Sequence, residues 1–181
     1  MFDSKTNFTY VHCQRRKLDN DFAIEKHIYK FFIQDQIGKM KYIVHLILFD
    51  NNLLKIDFYP KIASDQKYRL LTNQFKFGMI GGTVLDIMFD IQDRIGCDTF
   101  GLLGAETISE ELDFKRGDRK LNEPTRRFIV YKTILSRKLD PKKYTIFANS
   151  ENSTIFVIPN SRIFQKETII LEYGKIFEQS Y

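Results

Sequence analysis

The chain has 181 residues, 43% of them apolar and 28% charged, with a formal net charge of +5. That balance describes one globular domain able to bury its own core and excludes a disordered or fibrous chain. No apolar run approaches the roughly 20 residues needed to cross a bilayer, so no membrane partner is expected.

The first residues, Met1-Phe2-Asp3-Ser4-Lys5-Thr6, lack a basic-then-apolar leader pattern. Cys13 and Cys97 make neither a CxxC pair nor a disulfide framework, which points to a reducing, cytoplasmic setting. His12, His27 and His45 fall on separate predicted elements without metal-ligand spacing, and no metal is expected.

In chain order, Phe8–Cys13 predicts a first strand, ended by the basic cluster Arg15-Arg16-Lys17. Asp19 or Asn20 is placed to cap a helix in which Ile24, Ile28, Phe31 and Phe32 recur at helical spacing, closed by Gly38. Tyr42–Phe49 and Leu53–Tyr59, joined by Asp50-Asn51-Asn52 and stopped by Pro60, predict a hairpin. Tyr68–Thr72 reads as a third strand of that meander. The stretch Lys76–Thr83 reads as a glycine turn opening a helix to about Gly96, with Val84, Leu85, Met88, Ile91 and Ile95 on one face.

Phe100–Leu103 predicts a buried strand, and Glu106–Leu121 a charged surface loop. Asn122 is placed to cap a further helix with Pro124 in its first turn and Phe128, Tyr131, Ile134 and Leu135 on one face. Tyr144–Phe147 and Thr154–Ile158 predict a closing hairpin. The apolar residues Ile163, Ile169, Ile170, Leu171, Ile176 and Phe177 predict that 160–181 packs as an extension on the 1–159 domain or on another copy of the chain.

A glycine-rich segment feeding a helix start leaves backbone N–H groups free at the positive end of the helix dipole, an arrangement able to hold phosphate. Gly78, Met79, Ile80, Gly81, Gly82 and Thr83 are the residues in question. They lack GxGxxG spacing and a following Gly-Lys-Ser/Thr, which argues against Rossmann and P-loop sites.

The order strand, helix, three-strand meander, helix, strand, helix, hairpin resembles the GNAT acyl-CoA N-acyltransferase superfamily over roughly Phe8 to Pro159. The glycine segment and the aromatic helix around Arg126–Lys132 strengthen the likeness. The resemblance implies an α+β fold, a twisted and mostly antiparallel sheet with helices on both faces. It implies acetyl-CoA or another acyl-CoA as co-substrate and an unidentified amine as acceptor.

It further implies that the amides of Gly78–Thr83 hold the coenzyme pyrophosphate. With Gly82 in the last place of the family's turn, and Leu85 following, Ile80 and Phe77 stand where the family carries glycine and a Gln or Arg; with Gly78 in the glycine place instead, Phe75 stands first and Ile80 last, and neither register satisfies the pattern. Tyr131 is the residue implied to protonate the leaving thiolate. It lies two residues past the family's tyrosine place, where Ile129 stands, and serves only if the helix starts differently from the reading above. For the base that deprotonates the acceptor, Glu106 and Asp57 are the candidates, although alternation with Ile56 and Phe58 predicts a solvent-facing Asp57.

The alternative is a non-catalytic protein of the same fold that binds a protein or nucleic acid through its basic clusters, such as Lys115–Lys120 and Arg126-Arg127. Acidic residues interleaved among these argue for ordinary solvated surface over a nucleic-acid site.

Overall fold

The computed structural model describes residues 6–15, 23–34, 38–61, 77–106, 108–120 and 123–178. Its first half is a meander of β1 (Phe8–Gln14), β2 (Ala23–Gln34), β3 (Lys39–Phe49) and β4 (Leu53–Pro60), each antiparallel to the next.

β2 replaces the helix expected around Ile24–Phe32. Helical spacing is present there, but His27, Tyr29, Phe31 and Ile33 also recur at spacing two, and those four are the buried ones. A run this rich in Ile, Phe and Tyr satisfies both periods, and pairing with β1 on one side and β3 on the other selects the strand. The expected cap residues Asp19 and Asn20 lie outside the described residues.

The β3–β4 hairpin turns through a single 3₁₀ turn, Asp50–Asn52, where Asn52 takes a left-handed φ of 59° that asparagine tolerates. The strand expected at Tyr68–Thr72 lies outside the described residues.

Helix α1 (Phe77–Ile95) then crosses to β5 (Thr99–Leu103), which pairs parallel to β4. Helices α2 (Ile108–Arg116) and α3 (Arg126–Lys138) precede the hairpin β6 (Tyr144–Asn149) and β7 (Thr154–Pro159). β7 inserts beside β5, so the sheet runs β1-β2-β3-β4-β5-β7-β6, with β4–β5 the parallel pair.

α2 takes the place of the expected loop at Glu106–Leu121. Its first turn carries Glu110 and Glu111 and its last turn Lys115 and Arg116, each at the favourable end of the helix dipole. α3 is capped by Thr125, whose hydroxyl accepts from Phe128 N at 3.1 Å. Pro124 therefore precedes the cap instead of standing in the first turn, and Asn122 lies outside the described residues.

One sheet face buries Tyr29, Phe31, Leu46 and Ile56 against Met88 and Ile91 of α1 and Ile134 of α3. On the other face, a 3₁₀ segment Asn160–Gln165 leads into α4 (Lys166–Glu178), which sets Ile169 and Tyr173 on Phe49, Leu53, Phe156 and Ile158. Phe164 and Leu171 of this extension remain exposed. The outcome is an α+β fold with a mostly antiparallel sheet and helices on both faces.

β5 ends in a tight junction. Gly104 N donates to Ser153 O at 2.8 Å, and Thr125 Oγ1 donates to Gly104 O at 2.7 Å. A Cβ on Gly104 would lie 2.6 Å from Thr125 Oγ1 and 2.8 Å from Phe128 N, and that amide belongs to a capped helix start that cannot move alone. Gly104→Ala is expected to destabilise the fold by about 1–3 kcal/mol through overpacking. Thermal unfolding followed by circular dichroism should show a midpoint lower by several degrees; an unchanged midpoint would mean that the junction relaxes freely.

Candidate functional site

The parallel strands β4 and β5 pair from Leu53↔Thr99 to Ile56↔Leu102, while β4 runs on to Pro60 paired with β3 only. Where that pairing ends, α1 and α3 close over the sheet. Between them lies a cavity of about 20 Å³, lined by Ile56, Phe58, Gly81, Leu102, Tyr131 and Ile134 among others. Its volume is that of about one water molecule, and its hydrocarbon lining offers a water almost nothing to bond.

The glycine segment does not form a turn. Gly78, Met79, Ile80, Gly81, Gly82 and Thr83 are the second to seventh residues of α1, which begins at Phe77. Only the first four amides of a helix lack an intrahelical acceptor, so those of Gly81, Gly82 and Thr83 belong to the helix ladder. The glycine has a different use here: a methyl group on Gly81 would overlap Ile134 Cδ1, so its missing side chain lets α3 close onto α1. Thr83 is fully buried, its hydroxyl donating to Met79 O at 2.8 Å and accepting from Thr6 N at 3.4 Å.

Tyr131 is buried, its ring centroid 5.6 Å from that of Phe58. Burial pushes its phenol up to about 12, which makes it a reluctant proton donor. Glu106 lies exposed beyond β5, its Oε1 accepting from Arg119 Nη1 at 2.7 Å. Asp57 departs from the expected solvent-facing position. Alternation does turn it away from Ile56 and Phe58, but its side chain is only 15% exposed and sits 3.2 Å from Lys55 Nζ. Burial raises its carboxyl above the ordinary 3.8, with Lys55 opposing the rise. Asp57 thus leaves β4 on the face opposite Phe58, the residue on which Tyr131 packs, so the three candidate groups do not converge.

The start of α3 is likewise engaged. Arg126 N donates to Glu110 Oε1 at 2.7 Å, a carboxylate placed at the positive end of the helix and itself buried. Many basic residues are matched by carboxylates: Arg94 with Asp90, Arg119 with Glu106, Arg126 with Asp113 and Arg162 with Asp98.

Away from the cleft, Cys13, Glu25 and His27 each bring one ligand atom within 4.8 Å of the others. Sequence reasoning missed this group because a helical Glu25 and His27 would not face a strand residue at Cys13. The signal was the Glu-x-His spacing, which a strand presents on one face. No family model, curated protein or solved structure matches the chain.

Proposed function

We propose that the chain is a GNAT-like domain whose coenzyme cleft is closed by its own packing, and that it acts as a non-catalytic protein-binding module. The observation that carries this reading is the seating of Ile134 of α3 on Gly81 of α1. A pantetheine arm needs a channel between those two helices and the ends of β4 and β5, and the space left there among hydrocarbon side chains is about 20 Å³. The sheet order, with the one parallel pair among the described strands joined by a crossover helix, supports kinship with the acyltransferases. The helical glycine segment and the buried Tyr131 speak against their chemistry.

Protein is favoured over nucleic acid because Arg94, Arg119, Arg126 and Arg162 each pair with a carboxylate, which lowers the net charge available to phosphates. Leu112 and Phe114 of α2 and Ile129 of α3 are 44%, 48% and 51% exposed, large apolar side chains that a protein partner could cover.

Calorimetric titration with acetyl-CoA and with free CoA tests the reading. No binding heat at millimolar ligand is expected, and no rise in the thermal midpoint, since a ligand that binds only the folded state must raise it. Micromolar binding of acetyl-CoA would overturn the proposal and restore acyl transfer to an amine as the function.

A further inference from the structure

We propose that Cys13, Glu25 and His27 form a binding site for a zinc-class divalent cation at the β1–β2 edge of the sheet. The site follows from a register shift. Up to Tyr10, β1 pairs with β2 as Phe8↔Phe31, Thr9↔Lys30 and Tyr10↔Tyr29, a register that would set His12 opposite His27. A bulge between Tyr10 and His12 inserts one residue, and beyond it Cys13 stands opposite His27 instead. Glu25, two residues before His27 on the same strand, projects to the same face. Three ligand types thus come together from two adjacent strands.

Two of the three spacings approach those of tetrahedral coordination. Ordinary zinc bond lengths put neighbouring N and O ligands about 3.3 Å apart, and S and O ligands about 3.6 Å apart. In the structure His27 Nε2 lies 3.0 Å from Glu25 Oε2, and Cys13 Sγ lies 3.6 Å from the same oxygen. The remaining sulfur–nitrogen edge, within 4.8 Å, has to close to about 3.5 Å, which rotation of the Cys13 side chain must supply.

The outer contacts are those that hold metal ligands in place. His27 is 5% exposed; its Nε2 donates to the acceptor-only Glu25 carboxylate, so a metal on Nε2 requires the ring proton to move to Nδ1, where Tyr10 Oη lies 3.3 Å away to accept it. Glu25 gives its other oxygen, Oε1, to Arg15 Nε at 2.8 Å, leaving Oε2 turned toward the thiol and the imidazole.

The charges balance. Binding replaces the Cys13 S–H bond by a sulfur–metal bond and releases that proton to solvent. Thiolate and carboxylate then offset the two positive charges, and the imidazole stays neutral. Sulfur and imidazole select a borderline metal over magnesium or calcium, and three protein ligands leave a fourth position for water. The bound ion would join the edge strand β1 to β2 through side chains as well as through the backbone ladder.

Titration of the reduced, full-length chain with cobalt(II) tests this. One equivalent is expected to give the thiolate-to-cobalt charge-transfer band and the visible bands of four-coordinate cobalt, both removed by zinc. Cys13→Ser should abolish the charge-transfer band with the fold intact by circular dichroism. Tyr10→Phe should weaken binding by roughly tenfold or more, the usual effect of losing an outer contact. His12→Asn, a change at an exposed neighbour, should bind as the parent does.

Three results would overturn the proposal. The first is the absence of a charge-transfer band, or its appearance only at millimolar cobalt. The second is a band that survives in Cys13→Ser, which would assign it to Cys97. The third is a band lost in His12→Asn.

Discussion

Lys55→Met should lower the unfolding free energy at neutral pH toward the lower end of about 3–5 kcal/mol, the usual cost of leaving one partner of a buried ion pair alone. Lys55 is 8% exposed, and its Nζ is 3.2 Å from Asp57 Oδ2. Methionine keeps an unbranched apolar chain of similar length, so the change removes charge more than volume.

The loss should depend on pH. Burial raises the folded-state carboxyl of Asp57 above 3.8 against the opposing pull of Lys55 and Lys26. A group raised in the folded state contributes its stability below the unfolded value and loses it as pH climbs through the folded one. Removing Lys55 lifts the folded value further, so the variant loses more than the parent as pH rises above 3.8. Urea denaturation at pH 5 and at pH 7.5 should therefore show a gap between parent and variant that narrows toward acid. A gap equal at both values would mean that Asp57 is not its source.

Tyr173→Phe is the second large effect expected. The hydroxyl of Tyr173 accepts from Leu54 N at 2.9 Å and donates to Thr99 O at 3.0 Å, so a residue of α4 bridges the start of the parallel β4–β5 pair. The ring is fully buried and packs on Phe156 at a centroid distance of 5.1 Å, a contact that phenylalanine keeps.

What disappears is one bond to a buried backbone donor and one to a buried acceptor, at about 1–3 kcal/mol for each group left bare. Thr99 O retains a weak contact from Cys97 Sγ at 3.7 Å, which argues for a total of about 2–4 kcal/mol. The urea midpoint should fall with an unchanged slope, because the surface exposed on unfolding is the same. A change under about 0.5 kcal/mol would show that water replaces the hydroxyl at no net cost.

The two variants probe opposite aspects of the second sheet face. A sequence reading assigns Asp57 to solvent because nothing local reveals that this face is covered as well. The same reading finds apolar character in 160–181 but cannot tell which surface receives it. The structure places Ile169 and Tyr173 on the sheet and leaves Leu171 outside.

In the candidate cleft the glycines were legible as unusual, yet their purpose was not. A free-amide turn and a close helix crossing both favour glycine, and only the position of Ile134 separates them. The helix at 108–116 was hidden because its charged residues give a weak apolar stripe, whereas its ends are ordered by dipole-matched charges and by the bond from Glu110 to α3.

The β3–β4 hairpin, the body of α1, the buried strand β5, α3 and the closing β6–β7 hairpin follow from local residue patterns. In the helices the apolar face recurs at helical spacing, and in the strands short runs of β-branched and aromatic residues lie between turn signals, all within a few residues of one another. Tertiary structure decided the rest. Ala23–Gln34 became a strand because two neighbours supplied its hydrogen bonds, and Gly81 became a helix contact because α3 approached it. Cys13 met His27 because a one-residue bulge changed the pairing of β1. These outcomes depend on partners distant in the chain, and local periodicity carries no record of which partner arrives or in what register.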